Sequence, residues 1–290
     1  MLSKSLRQIH STLPKQSFFP LVNARSFCEW RPNVPKYQLI LDLDSYHMVH
    51  PIWDKADINN IQITHYYPKT RSDRIALFLA RRLKGFFDFA SGYKPGAADE
   101  KHYLRRLICI EAISGVPGMI GGMIRHINSL SLMRRDHGWI HNLLQQAENE
   151  RQHLFVFLNI KKPGILFRAG LFSAQALMIL FYSGFYFSSW RTAHRFVGYL
   201  REESTKVYSS CIKDLDEGKL AKWDNLVVPE PALEYWGLDE NASLRDVLAC
   251  IRADEAMHRE INHRLASLDP DDPIPQYEDL VSENFTRKTS

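Results

Sequence analysis

The segment Asn149-Glu-Arg-Gln-His-Leu154 contains Glu150 and His153, and the same spacing recurs in Glu255-Ala-Met-His258. Residues three apart lie on the same face of a helix, so each segment can present a carboxylate and an imidazole to one point. A single Glu-x-x-His is common by chance. Two of them on long helical segments are typical of a carboxylate bundle, in which two other helices give one glutamate each to a pair of metal ions. Ordinary contacts between surface Glu and His side chains are the alternative interpretation.

The rest of the chain predicts an all-α protein with one main domain. The 290 residues are 45% hydrophobic and 24% charged, which is sufficient to bury a full core. Apolar residues recur with a helical period, and we find no strand-like alternation and no internal repeat. The predicted helical segments lie at about 73–90, 99–128, 136–160, 165–187, 190–217 and 243–267.

Charge and proline content divide the chain into four regions. Residues 1–28 are basic and contain no acid, which is typical of a mitochondrial transit peptide, although a disordered basic arm is the alternative. Residues 29–68 predict an extended N-terminal arm, 69–268 the helical bundle and 269–290 an extended C-terminal tail. The net charge of +4 favours a membrane surface or a protein as partner over nucleic acid. Four scattered cysteines predict reduced, mostly buried thiols: Cys28, Cys109, Cys211 and Cys250.

Two helical segments are suited to a membrane surface. Asp73 to Ala90 is basic and amphipathic, whereas Phe167 to Phe187 is the most apolar stretch of the chain. The second segment is almost long enough to cross a bilayer, since a span takes about 20 apolar residues. A single span would put the helices on either side of it on opposite faces of the membrane, although their motifs need one another. We therefore predict two membrane-facing amphipathic helices that lie in one leaflet, as in a monotopic protein.

Glu111 is an acid within an otherwise apolar helix that begins near residue 99. A buried carboxylate without a partner costs several kcal/mol, so a metal ion or another cation is its expected partner. A structural salt bridge to Arg105 or Arg106 is the alternative.

Four strings of residues carry a resemblance to a known family. The similarity extends from about Trp53 to Leu268. The chain resembles the alternative oxidase family of cyanide-insensitive ubiquinol oxidases. This resemblance implies a ferritin-like four-helix di-iron bundle, usually a homodimer, on the matrix side of the mitochondrial inner membrane. The strings are Ile110-Glu-Ala-Ile-Ser-Gly-Val-Pro-Gly-Met119, Asn149-Glu-Arg-Gln-His-Leu154, His194-Arg-Phe-Val-Gly-Tyr-Leu200 and Arg252-Ala-Asp-Glu-Ala-Met-His-Arg-Glu-Ile-Asn-His263.

The resemblance also implies roles for individual residues. Tyr208 matches a tyrosine implicated in redox chemistry beside the metals. Metal ligands are implied at Glu111, Glu150, His153, Glu255 and His258. Residues that orient those ligands are implied at Asn149, Trp236 and Asp254. Ubiquinol contacts are implied at Arg106, Ile110, Leu200, Glu203, Ser204 and Val207.

The chain departs from the family pattern at the sixth ligand, where Arg201 stands in place of an acid. Trp190, His194, Arg201 and Tyr208 recur at helical spacing on one inward stripe, and Glu202 is rotated off it by about 100°. An arginine stays charged in proteins, so it would pair with the carboxylates and repel a metal ion. Ser204 and Val207 also differ from the family's alanine and threonine.

Two functions remain open from the sequence. The first is a ubiquinol:oxygen oxidoreductase that reduces O2 to water at two iron ions without pumping protons. The second is a non-catalytic relative that holds one iron or none and serves as a structural or accessory subunit of an inner-membrane respiratory complex. A plastid-type plastoquinol oxidase is a third and less favoured interpretation.

Overall fold

The computed structural model describes Met48 and residues 50–274, all within one compact unit. This part of the chain forms helices and contains no strand, as the sequence predicts. The predicted leader over residues 1–28, Cys28, most of the arm before residue 50 and the tail from residue 275 lie outside the described residues. The helices are α1 (Lys55–Asn59), α2 (Arg71–Ser91), α3 (Glu100–Leu132), α4 (Trp139–Ile160), α5 (Ile165–Ser188), α6 (Trp190–Asp216), α7 (Glu230–Trp236) and α8 (Leu244–Leu265).

Side-chain caps set the starts of three of the four bundle helices, α3, α6 and α8. The Ser243 hydroxyl accepts the backbone N–H of Asp246, and the Asp246 carboxylate accepts the backbone N–H of Ser243 in return. This capping box satisfies backbone donors that have no partner within the first turn of α8. Asp99 and Ser189 cap α3 and α6 in the same manner, each accepting a backbone N–H three residues ahead.

The bundle consists of two antiparallel helix pairs, α3 with α4 and α6 with α8. Glycines allow the first pair to approach closely. A methyl group on Gly118 would lie 2.4 Å from the carbonyl oxygen of Leu143, and one on Gly115 would meet the backbone of Ala147. In the second pair, Gly198 lies against the ring of His263. Close helix axes bring the facing side chains of the four helices into one interior.

Helices α2 and α5 lie on the outside of the bundle. Helix α2 packs on α6 and α3, and α5 packs on α3 and α6. Both helices keep large apolar side chains exposed: Ile75, Phe78, Phe86 and Phe89 on α2, and Ile165, Leu166, Phe172, Leu177, Leu180 and Phe187 on α5.

Helices α3 and α5 are long and apolar enough to cross a membrane by length and composition. The apolar window of α3 is 78% buried within the protein, whereas that of α5 is only 11% buried. Helix α3 is therefore a core helix, and α5 is the helix whose apolar surface the fold leaves uncovered.

The six predicted helices are confirmed, with ends that differ by a few residues. The sequence did not predict α1 and α7, because each has at most seven residues and too few turns to show a helical period. The described part of the predicted extended arm contains α1 and places Trp53 in the core. Cys109, Cys211 and Cys250 are buried free thiols, as predicted.

Candidate metal centre

The bundle interior brings together four of the predicted ligands. Glu111 on α3, Glu150 and His153 on α4, and Glu255 on α8 each offer one ligand atom, and these four atoms lie within 4.8 Å of one another. None of the four residues is more than 2% exposed. Carboxylate oxygens and an imidazole nitrogen are ligands that iron, manganese and zinc accept. The four side chains can therefore bind a metal ion.

His153 has its ring orientation and protonation set by Asp254. Its Nε2 lies 3.1 Å from Asp254 Oδ2, and because a carboxylate only accepts, Nε2 carries the hydrogen. The other nitrogen, Nδ1, faces Glu111 Oε2 at 3.2 Å and Glu255 Oε1 at 3.7 Å. Burial lowers the pKa of His153, but hydrogen bonds that the ring donates to Asp254 and Glu111 raise this pKa well above its ordinary value when no metal is bound.

Besides His153, three donors hold Asp254, and the sequence analysis identified two of these three. Burial raises the pKa of Asp254, but the hydrogen bonds from His153 and Trp236 and the charge of His153 together lower it below its ordinary value. The three donors are Trp53 Nε1 at 2.7 Å, Trp236 Nε1 at 2.9 Å and Asn149 Nδ2 at 3.1 Å. This is the arrangement in which outer residues fix the position of a metal-ligating histidine.

Glu111 is bonded to Tyr208 and not to an arginine. The Tyr208 hydroxyl donates to Glu111 Oε1 at 2.6 Å, whereas Arg106 pairs with Asp88 at 2.8 Å. The alternative of a Glu111–Arg106 salt bridge is therefore wrong, because Arg106 points to α2. Burial and the charge of Glu150 raise the pKa of Glu111 to about 8. Burial and the nearby Glu111 carboxylate also raise the pKa of Tyr208 well above its usual value.

Arg201 enters the same interior from α6. Its Nη1 lies 2.7 Å from Glu150 Oε1 and 3.0 Å from Glu255 Oε1, and its Nη2 donates to the carbonyl of Ser114 at 3.0 Å. Burial raises the pKa of Glu150, but the charge of Arg201 together with the hydrogen bond from His258 lowers this pKa well below its ordinary value. The predicted register is therefore confirmed: the guanidinium contacts two of the carboxylates expected to bind metal.

Glu202 takes no part in this cluster. Its carboxylate accepts from His65 at 2.6 Å, from the backbone N–H of Tyr66 at 2.9 Å and from His263 at 3.0 Å. Glu202 therefore points away from the ligand cluster, as its rotation of about 100° off the inward stripe predicts.

His258 is the fifth predicted ligand, and the structure does not place it in the four-atom group. Its Nδ1 donates to Glu150 Oε1 at 2.8 Å, the same oxygen that Arg201 contacts. The other carboxylate oxygen, Glu150 Oε2, is buried and has no hydrogen-bond partner. Glu150 therefore presents Oε1 to Arg201 and His258, and its Oε2 is a potential metal ligand.

A cavity beside the cluster contains most of the predicted ubiquinol contacts. Arg201 lies between the cavity and the carboxylates, and Arg106 lines the cavity with an Nη1 that is buried and has no hydrogen-bond partner. Val207 is buried and does not line this cavity, so the structure does not group it with the other predicted contacts. The predicted residues that do line it are Arg106, Ile110, Leu200, Glu203 and Ser204.

Four residues of this region were missed by sequence reasoning. Trp53 contacts Asp254, Tyr235 accepts from Asn149, Asp88 pairs with Arg106, and the carbonyl of Ser114 accepts from Arg201. No signal in the sequence identifies Ser114 or Tyr235, because their partners come from distant helices. The acid Asp88 on the basic helix α2 could have been suspected as a partner for a buried arginine.

A four-helix bundle with carboxylates and a Glu-x-x-His histidine converging in its interior defines the carboxylate-bundle class of proteins, whose members hold metal ions between their helices. Within that class, the family model described as alternative oxidase matches residues 53–267, and the chain belongs to this family.

The chain is similar to several proteins named "Alternative oxidase, mitochondrial". It is 44% identical to the one from Emericella nidulans over 233 residues, which cover 76% of this chain and 65% of that protein. It is 42% identical to the one from Trypanosoma brucei brucei, over 85% of this chain and 74% of that protein. It is 39% identical to the one from Cryptococcus neoformans, over 78% of this chain and 62% of that protein. The chain thus spans slightly less than two thirds of the two fungal relatives.

The side chains of this site suit one metal ion. They do not suit the two-iron centre of the alternative oxidase family, because Arg201 takes the position of a ligand. The four converging ligand atoms and the unpartnered Glu150 Oε2 suit a cation. A second ion next to Glu150 and Glu255 would lie beside the guanidinium of Arg201, which contacts both carboxylates and repels a cation.

Proposed function

We propose that the chain is a ubiquinol:oxygen oxidoreductase that reduces O2 to water without pumping protons. The names of its relatives and its place in the alternative oxidase family support this function. The observation that carries the proposal is a largely apolar cavity, lined by Arg106 and Ser204, that is separated from the buried carboxylates only by Arg201. A substrate in that cavity would lie one side chain away from the proposed metal centre.

The cavity has the chemistry of a quinol head-group site. A quinol has two hydroxyl groups on a flat apolar ring, so it needs a few polar partners within an apolar lining. Ile110 and Leu200 provide apolar walls, and Ser204 and the free Nη1 of Arg106 provide hydrogen-bonding groups. Glu203, which pairs with Lys206 at 2.7 Å, provides an acceptor for a released proton.

The lipid-soluble substrate would enter from the membrane side. Leu83, Lys84 and Phe87 of α2 line the same cavity, and α2 carries one of the two exposed apolar faces. We place α2 and α5 in one leaflet of the mitochondrial inner membrane on the matrix side, with the protein bound as a monotopic membrane protein. The exposed Arg81 and Arg82 beside the apolar residues of α2 suit an anionic lipid surface.

Tyr208 is the proposed redox-active side chain of this chain. It is fully buried, and its hydroxyl is bonded to Glu111, which can accept the phenolic proton when the ring gives up an electron. Two ubiquinols release four electrons and four protons, which convert one O2 into two waters. A redox-active metal, when bound, supplies the site at which O2 accepts those electrons.

The proposed homodimer would use a second uncovered surface, formed by α3 and α4. A groove there is lined mainly by apolar side chains, including Met119, Met123 and Leu144. Met119 and Met123 are more than half exposed. A second copy of this chain would cover them, whereas membership of a larger respiratory complex would cover them with another subunit.

The oxidase proposal is tested by oxygen uptake with a short-tailed ubiquinol and the purified, metal-loaded chain in the presence of cyanide. Arg106→Gln should raise the KM for quinol by about tenfold or more, because a hydrogen bond to a charged group is worth about 1.5–3 kcal/mol. Arg245→Gln, which alters an exposed pair with Asp216, is the matched control and should leave KM unchanged. No quinol-dependent oxygen uptake by the metal-loaded wild-type chain would refute the proposal.

The second candidate is the non-catalytic accessory subunit, and one observation favours it. Arg201 neutralises part of the carboxylate cluster with buried ion pairs, which could hold the bundle together without metal. This candidate predicts no oxygen uptake and co-purification with a respiratory complex.

A further inference from the structure

One potential ligand atom from each of Glu111, Glu150, His153 and Glu255 points to a common position in the bundle interior. His153 gives its Nε2 hydrogen to Asp254, so in the neutral ring Nδ1 is an acceptor that faces other acceptors. The distances from Nδ1 are 3.2 Å to Glu111 Oε2, 3.7 Å to Glu255 Oε1 and 4.0 Å to Glu150 Oε2. The two longer distances exceed those of hydrogen bonds.

These distances match the separation of ligands that share one ion. Two donors that each lie about 2.1 Å from a metal are about 3.0 to 4.2 Å apart, depending on the angle between the bonds. All three distances from His153 Nδ1 fall in that range. The buried Glu150 Oε2, which has no hydrogen-bond partner, is one of these donors. An unsatisfied carboxylate oxygen of this kind costs free energy unless a cation reaches it.

The net charge of the buried side chains in the bundle interior favours the binding of one divalent ion over the binding of two. Glu111, Glu150, Glu255 and Asp254 are four buried carboxylates, and Arg201 is a fixed positive charge among them. Metal ligands must be deprotonated, and with all four carboxylates ionised and the imidazoles neutral the cluster would carry three uncompensated negative charges, of which a divalent ion would leave one. An acid in place of Arg201 would change the total by two charges, which is the charge of one further divalent ion.

Arg201 lies where that further ion would need its ligands. Its Nη1 contacts Glu150 Oε1 and Glu255 Oε1, and His258 donates to the same Glu150 oxygen. A guanidinium carries a permanent positive charge, and its N–H groups are arranged to donate hydrogen bonds to a carboxylate. The guanidinium thus occupies the side of the cluster near His258, and the four potential ligand atoms converge on the side near His153.

We propose that this chain binds a single divalent first-row metal ion, such as Fe2+ or Mn2+, through Glu111, Glu150, His153 and Glu255, and that the guanidinium of Arg201 takes the place of a second ion. The proposal deepens the proposed function, because this ion would be the redox centre of the oxidase. The test measures metal content and not oxidase activity, so the one-ion proposal and the proposed oxidase function can fail separately.

The first test is the metal content of the full-length chain after anaerobic loading with Fe2+ or Mn2+ and removal of free metal by gel filtration. We expect one ion per chain by mass spectrometry of the metal. Electron paramagnetic resonance of the Mn2+-loaded chain should give the spectrum of an isolated ion and not that of a coupled pair. Two ions per chain, or none, would overturn the proposal.

The two Glu-x-x-His histidines provide a matched pair of variants. His153→Gln should lose the ion, because it removes the donor on which the four ligands converge. His258→Gln should keep it, because His258 lies outside that group and glutamine can still donate to Glu150. Loss of metal from both variants to the same degree would contradict a one-ion site. Far-ultraviolet circular dichroism of each variant checks that it remains folded.

Arg201→Glu tests the role assigned to the guanidinium. This change restores a fourth cluster carboxylate next to Glu150 and Glu255, and the metal content should rise from one to two ions per chain. Arg201→Gln, which removes the charge without adding a ligand, should stay at one ion. A content of one ion in Arg201→Glu, with the protein folded, would show that the guanidinium does not occupy a metal position.

Discussion

At the scale of single residues, the interior of this bundle depends on how a few buried charges are compensated. Arg201 contacts two carboxylates, Asp254 orients His153, and Tyr208 donates to Glu111. Each of these groups is almost completely buried, so none can obtain compensation from water. Substitutions here should therefore have larger effects than the same substitutions at the surface.

Replacing the guanidinium should destabilise the metal-free chain. Arg201→Leu leaves Glu150 and Glu255 without their charge partner and should lower the free energy of unfolding by about 3–5 kcal/mol. Urea denaturation of the chelator-treated protein measures this loss. Arg245→Leu breaks the exposed pair with Asp216 and should cost about 1 kcal/mol or less. Equal losses in the two variants would mean that burial does not determine the strength of the Arg201 pairs.

His194 gives the protein a pH dependence that is separate from the ligand cluster. Burial lowers the pKa of His194 to about 4, and the neutral ring donates to Asn262 at 3.1 Å while accepting from Tyr186 at 3.2 Å. The folded state therefore binds this proton less readily than the unfolded state, whose histidine pKa is about 6.5. The stabilisation that the neutral His194 ring gives the folded state is fully present above about pH 6.5 and is lost as the pH falls toward 4.

The size of this effect should be roughly 3 kcal/mol, since one pKa unit corresponds to about 1.4 kcal/mol. Denaturant unfolding of the wild-type chain and of His194→Gln between pH 7 and pH 4 measures it. The wild-type chain should lose more stability than the variant over this window, and the exposed His141→Gln should behave like the wild type. Parallel curves for wild type and His194→Gln would show that His194 is not responsible.

At the scale of helices, the close approach of α3 and α4 is the feature that aligns Glu111 with Glu150 and His153. Gly118 and Gly115 lie at this contact, where a side chain would meet the backbone of α4. The regular spacing of Glu-x-x-His places ligands on one face of a helix, but only this close approach brings the faces together.

Gly118→Ala should weaken the α3–α4 contact. Its methyl group would lie 2.4 Å from the carbonyl oxygen of Leu143, so the helices must separate, and overpacking of this kind costs about 1–3 kcal/mol. Thermal unfolding followed by circular dichroism measures the change. Gly170→Ala on α5 meets nothing within 4 Å and should be neutral or slightly stabilising, because alanine favours the helix. A Gly118→Ala variant as stable as Gly170→Ala would contradict the assigned contact.

At the scale of the whole molecule, two uncovered apolar surfaces lie on different helices and should have different partners. The outer face of α5, with Phe172 and Leu180, is the proposed membrane surface, and the groove of α3 and α4, with Met119, is the proposed dimer surface. Surfaces of this extent are uncommon on a protein without partners.

Charge substitutions on the two surfaces should separate the two functions. Phe172→Glu should weaken binding to anionic phospholipid vesicles by about tenfold or more, since burying such a side chain is worth about 2 kcal/mol, and should leave self-association unchanged. Met119→Glu should reduce self-association in sedimentation velocity and leave vesicle binding unchanged. If Met119→Glu abolished vesicle binding while Phe172→Glu did not, the two surfaces would have been assigned the wrong way round.

The sequence alone determined much of this protein. Its helical periods predicted the six long helices, the two Glu-x-x-His segments predicted the ligand helices, and the inward stripe through Tyr208 placed Arg201 at the cluster and turned Glu202 away from it. These features are local, because the side-chain period of a helix is set by its own backbone and does not depend on what the helix packs against.

Only the tertiary structure decided which groups satisfy one another. It placed Trp53 on Asp254, Arg106 on Asp88, and His258 beside Arg201 and outside the group of four metal ligands. Contacts between residues far apart in the chain depend on how closely and at what register the helices pack, and that packing is set by the whole core. For the same reason the convergence of His153 with the three glutamates is visible only once the four helices have been brought together.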